Sequence, residues 1–255
     1  MNLFKLFADL EAVDGDAAEK IAYYSRRQMI SGATSKLAKM TTGAAVATFG
    51  TVMNQAFGQA ASATEVLNLA LTLEYLESDY YARALAAANL IPAADRAIFT
   101  QIAKHEDAHV ALLRGALMTA AAPKPNFRYP AADTFTNYQT FLGLAQALED
   151  TGVRAYKGQA GNLLGTPTLT IALQIHSVEA RHASQVRRLR GLKGWVSAAN
   201  ETPAPVYAGE TGMRQANVDL RSIIPTSISD LAIQEAFDEP LDRAAVLAIA
   251  TPYIG

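Results

Sequence analysis

Residues 104–110 read KHEDAHV, and residues 177–183 read SVEARHA. Each places a glutamate three positions before a histidine, Glu106 with His109 and Glu179 with His182, in a chain that has only four histidines. On a helix, a spacing of three turns both side chains toward one side. Apolar residues recur around them at helical spacing: Phe99, Ile102 and Leu113 about the first pair, Ala172, Ile175 and Val186 about the second. Both pairs therefore stand where leucine would be expected to pack. Two more stripes repeat the anomaly: Glu74 lies on Leu67, Leu71, Ser78 and Tyr81, and Glu149 on Leu142, Ala145, Gly152 and Tyr156.

The constellation is written twice. A tyrosine follows seven residues after Glu74 and again seven after Glu149, and the Glu-x-x-His pairs follow those glutamates by 32 and 30 residues. Four helices carry the pattern: Thr64 to about Asn89 with Thr64 as N-cap, Pro92 to about Ala121, Asp133 as N-cap through Tyr156 to the glycines at 158 and 161, and Pro167 to about Gly191. None shows the period-two alternation of strands, so the fold class is all-α. Short connections make helices one and two antiparallel, and likewise three and four. The proline-rich link from Ala122 to Ala132 is just long enough to run the length of such a helix, which allows a crossover without requiring one.

Composition narrows the chemistry. The chain of 255 residues is 50% hydrophobic and 18% charged, which suits a folded protein. A formal net charge of −2 gives no electrostatic basis for nucleic acid or an anionic membrane. Without cysteine there can be no disulfide, thiolate catalysis or Cys-ligated metal, so carboxylates and imidazoles are the available ligands. Four carboxylates in a core would each cost several kcal/mol or take up protons. Two divalent cations offset that charge, and two neutral imidazoles add ligands without adding charge.

This pattern over residues 64–191 resembles the ferritin-like di-iron carboxylate superfamily. More narrowly, LNLALTLEYLESDYYARAL (67–85) and AFDEPLDRAAVLAIATPYI (236–254) resemble bacterial ferritin-like-domain proteins related to plant desiccation-related proteins. The resemblance implies a four-helix bundle with two metal ions, iron first and manganese as the alternative. It implies Glu74, Glu106, His109, Glu149, Glu179 and His182 as ligands, with Glu106 and Glu179 as bridges. Glu77, one turn after Glu74, reads equally as an extra ligand and as a charge at the bundle edge. Rubrerythrin-like proteins carry an additional glutamate on the third helix, where this chain has Gly152. Tyr81 and Tyr156 are expected to bond ligand carboxylates, and His176 to stand behind the ligands. His105 is placed at the edge, Asp107 and Arg181 face outward, and Trp195 packs after the fourth helix.

The function implied is oxidation of Fe(II), or handling of O2 or H2O2, at the dinuclear site. A dimanganese catalase-like enzyme and a non-enzymatic, metal-stabilised envelope or desiccation protein are the alternatives. The expected partners are metal ions and O2 or H2O2, with no nucleic acid and no transmembrane anchor; a homo-oligomer stays open.

Residues 1–63 read as an export segment. Arg26 and Arg27 in SRRQMI precede an uncharged, weakly apolar run from Met40 that ends in Ala61-Ser62-Ala63. That order resembles a twin-arginine signal, which implies a periplasmic or envelope location. Residues 192–255 read as a tail packing on the bundle, loop-like at first, with weak helical signals over 214–239 and one short helix from Leu241 to Ala250.

Overall fold

The computed structural model describes residues 61–197, 201–215 and 217–255. The twin-arginine pair and the uncharged run through residue 60 lie outside them. Four long helices dominate: α1 (Ala63–Ala86), α2 (Ala93–Leu117), α3 (Tyr138–Gln159) and α4 (Thr168–Leu189). Two short helices follow in the tail, α5 (Asp230–Gln234) and α6 (Arg243–Ala250).

Helix ends show how local chemistry fixes these boundaries. Ser62, not Thr64, caps α1: its hydroxyl accepts the Glu65 N–H while the Glu65 carboxylate accepts the Ser62 N–H, a reciprocal capping box. Asn137, not Asp133, caps α3 by accepting the Gln139 and Thr140 N–H groups. Asp133 instead anchors the turn before it, accepting the Thr140 hydroxyl at 2.8 Å. At the far end of α4, Gly191 adopts φ +73. Its N–H and that of Leu192 donate to Arg188 and Arg187 carbonyls, a Schellman closure that favours glycine at this position.

Neighbouring helices run antiparallel. Along α1 and α2, Ser78 bonds Asp107 and Asn68 bonds Ala120. Along α3 and α4, Gln146 bonds Arg190 and Asp150 bonds Arg187. Across α1 and α3, Tyr80 donates to the Phe141 carbonyl at 2.7 Å and Tyr156 to Glu74 at 2.5 Å. Helices α2 and α3 must then be parallel, so their link runs the length of the bundle. It does so beside α1: Asn68 clamps Ala120 and Ala122 at one end, and Arg83 and Asp79 hold Phe127 and Tyr129 toward the other.

Two apolar layers bracket the middle of the bundle. Tyr80, Tyr81, Phe99 and Phe141 stack at one end, with Phe99 and Phe141 centroids 4.9 Å apart. Leu67, Leu71, Leu163 and Ala172 fill the other.

The tail is more structured than its sequence suggested. A two-stranded hairpin pairs Arg214–Gln215 (β1) with Val218–Asp219 (β2), where only weak helical signals were visible. Leu241, Val246 and Ala250 pack on Leu69, Leu73 and Ala155. The last residues then pair with the crossover, Arg128 N–H donating to Tyr253 and Gly255 N–H to Asn126, each at 2.8 Å. Trp195 is half-exposed and donates to Glu235 at 3.0 Å, so it tethers loop to tail rather than filling a core.

Gly158 marks the closest approach of tail to bundle. A Cβ there would overlap the Leu241 carbonyl oxygen. Gly158→Ala should therefore displace the tail and lower stability by about 1–3 kcal/mol, read as a lower chemical-denaturation midpoint.

Candidate metal centre

Each long helix delivers its acidic stripe to one level of the bundle. Glu74 comes from α1, Glu106 and His109 from α2, Glu149 from α3, and Glu179 and His182 from α4. The four glutamates are 0% exposed, and both imidazoles are buried. Two overlapping groups result, Glu74, Glu106, His109 and Glu179 in one, Glu106, Glu149, Glu179 and His182 in the other. Within each group one ligand atom per residue lies within 4.8 Å of the rest. Glu106 and Glu179 belong to both.

Both histidines present Nδ1. The His109 nitrogen stands 3.1 Å from oxygens of Glu74, Glu106 and Glu179. His182 Nδ1 lies 2.8 Å from Glu106 and 3.2 Å from Glu149. His109 Nδ1 is within bonding range of Glu74 and Glu106, but His182 Nδ1, Glu106 Oε1, Glu149 Oε2 and both Glu179 oxygens are buried without a hydrogen-bond partner. Native interiors rarely leave polar atoms so. Convergent lone pairs with nothing to accept fit a pair of cations.

Compared with known families, residues 62–192 match the ferritin-like domain. The chain belongs to that family. Among curated proteins it has no match. No helix among the described residues is long and apolar enough to cross a membrane.

The tyrosines of this ferritin-like domain cross between its halves. Tyr81 of α1 donates to Glu149 of α3, and Tyr156 of α3 donates to Glu74 of α1. Each bond leaves the second oxygen of its carboxylate turned to the cluster. Burial and the adjacent carboxylates push both phenols well above their ordinary range, so they remain donors.

The remaining candidates divide differently from expectation. Glu77 is 2% exposed, so it is no edge charge. His105 is half-buried and, beyond what its edge position suggests, stacks on His182 at 5.1 Å, with its Nδ1 2.9 Å from His182 Nε2. That contact holds the His182 ring with Nδ1 turned toward the cluster. His176 bonds no residue of the cluster, and its Nε2 is buried without a partner. Asp107 and Arg181 are exposed.

Electrostatics show what protons do where cations are missing. Burial pushes Glu74 up to about 7 and holds Glu77 and Glu179 well above the carboxylate range. Burial alone would raise Glu106 too, but the adjoining His109 and His182 imidazoles outweigh it and hold that carboxyl at about 2. Against their own burial, the carboxylates raise His109 to about 12 and His182 to about 11.

The raised carboxyls and imidazoles share one sign. From the ordinary carboxyl value of 4.5 upward, the folded metal-free domain holds more protons than the unfolded chain. The histidine contribution is complete below 6.5 and is lost as pH rises toward 11–12; the cost of the raised carboxyls grows above 4.5. Stability therefore falls as pH rises. The Tm of metal-free protein should drop by more than about 5 °C between pH 5 and pH 8, and metal loading should flatten that slope, as followed by circular dichroism.

Proposed function

We propose that this ferritin-like domain holds two metal ions, iron by preference, and oxidises Fe(II) with O2 or H2O2. Glu74, Glu106, His109, Glu149, Glu179 and His182 are the ligands, and Glu106 and Glu179 span both positions. The observation that carries the reading is the pair of four-residue groups sharing two carboxylates, Glu106 and Glu179, three of whose oxygens have no hydrogen-bond partner. A donor set of carboxylate and imidazole suits iron or manganese and lacks the thiolates of soft-metal sites.

When bound, an iron pair supplies Lewis acidity and two electrons, the number needed to take peroxide to two waters. The chain's residues do the rest. Four carboxylates offset the charge of two divalent ions. Tyr81 and Tyr156 hold Glu149 and Glu74 in one orientation, and His105 fixes the ring of His182. The aromatic layer above and the leucine layer below keep bulk water out, which strengthens every charge interaction between them.

Elemental analysis of protein from its own host should find two metal ions per chain. Added Fe(II) should be oxidised in an oxygen- or peroxide-dependent reaction. Glu106→Ala removes a residue of both groups and should cost both metals, with at least about a 100-fold loss of oxidation rate. Unchanged kinetics in that variant would count against the reading. Manganese in place of iron, with peroxide disproportionation, would mark a catalase-like enzyme; two metals without turnover would assign them to holding the bundle together.

Export belongs to the same proposal. The twin-arginine route carries folded proteins, so the site could be loaded before transport. N-terminal sequencing from the native host should find Thr64 first, after cleavage at Ala61-Ser62-Ala63. An intact Met1 would contradict it.

A further inference from the structure

One of the six cluster residues has a contact that leads outward. His182 of α4 stacks on His105 of α2 with ring planes 9° from parallel, and the facing nitrogens are 2.9 Å apart. His105 is half-buried, and its Nε2 lies 2.7 Å from the amide nitrogen of Gln101, which is exposed. Two imidazoles in contact thus join the surface of the α2–α4 seam to the cluster. The phenols that bond Glu149 and Glu74 make no such link, since Tyr81 and Tyr156 are themselves buried.

That surface carries one sign of charge. Lys104 and Arg181, the residues just before each member of the pair, are both exposed. Glu179 is the only acid of α4, and it is buried. On α2 the acids after Asp95 are Glu106, buried, and Asp107, which turns to α1 and accepts the Ser78 hydroxyl at 2.7 Å. Two turns along α2 from His105, on the same side, Leu112 is 44% exposed. An apolar spot rimmed by cations favours fast, brief association with an acidic protein.

Turnover calls for such a partner. Taking peroxide to two waters consumes two electrons and two protons. Solvent supplies the protons, and the electrons must be returned to the centre before the next round. The chain has no cysteine and therefore no Cys-ligated cluster of its own to supply them.

We propose that the α2–α4 face at Lys104 and Arg181 docks an acidic one-electron donor protein, whose electrons pass through His105 to His182. The donor loses one electron at each encounter, and two encounters return the two electrons. The proposal rests on the two-metal oxidase reading and adds the reductant to it. His105 then has two tasks, positioning the His182 ring and receiving the electron.

An acidic plant-type ferredoxin serves as the probe. Metal-free full-length protein titrated with oxidised ferredoxin should show saturable binding by calorimetry, weakening as salt rises. Lys104→Glu and Arg181→Glu should each weaken it at least about fivefold, while Arg114→Glu, on the opposite side of α2, should leave it within about twofold. In iron-loaded protein, stopped-flow reduction by reduced ferredoxin is compared with reduction by dithionite. His105→Phe keeps a ring in the seam without its nitrogens, and the ferredoxin rate should fall at least about tenfold relative to the dithionite rate. Elemental analysis checks the iron content, and His105→Gln replaces His105→Phe if that variant loses metal. Absence of binding, or binding that the two charge reversals leave unchanged, would overturn the docking face. An unchanged ratio of the two rates would overturn the route through His105. A wild type that binds ferredoxin but holds no metal pair would instead remove the oxidase reading.

Discussion

Four carboxylates at zero exposure, midway along an apolar bundle, are the constraint on which the rest of this molecule depends. Hydrophobic packing of α1 to α4 would be simpler with leucine at each of those places, and every one of the four is glutamate. Nearby hydrogen bonds offset the charge incompletely: two phenols, two imidazoles and no buried lysine or arginine among the described residues reach the cluster. A fifth carboxylate, Glu77, deepens the deficit. The bundle is a container built around a charge it cannot neutralise alone.

Topology follows from delivering those side chains to one level. The antiparallel pairs bring Glu74 opposite His109 and Glu149 opposite His182, and the crossover lets the two pairs face each other. Asn68, Asp79 and Arg83 line the α1 face along which that link runs, and their polar bonds hold an extended segment that has no helix of its own. The C-terminal residues extend the same strip by pairing with Asn126 and Arg128. Arg154, buried on α3, fixes the tail from the other side through backbone carbonyls of Val206, Ala208 and Glu239 and an ion pair with Glu210 at 3.0 Å.

What could be read from the chain alone was one helix face at a time. A stripe such as Phe99, Ile102, Glu106, His109, Leu113 states which side is inward, and all four long helices were legible in this way. Register between helices is a different quantity, set by packing of two surfaces, and no single stripe contains it. That is why no stripe shows that His105 meets His182 across the α2–α4 seam, or that His176 stands clear of the ligands. Caps failed for a related reason. Thr64 and Ser62, or Asp133 and Asn137, offer similar side chains, and the choice lies in backbone geometry two or three residues on. The hairpin at Arg214–Asp219 is two residues per strand, too short to show any period.

The crossed tyrosines have a consequence for how such a site can change. Because Tyr81 serves the glutamate of the second helical pair and Tyr156 that of the first, the two repeats are interlocked like links of a chain. A half on its own would leave its phenol without that acceptor and its carboxylate without that donor. A substitution tolerated in one repeat is therefore judged by the other.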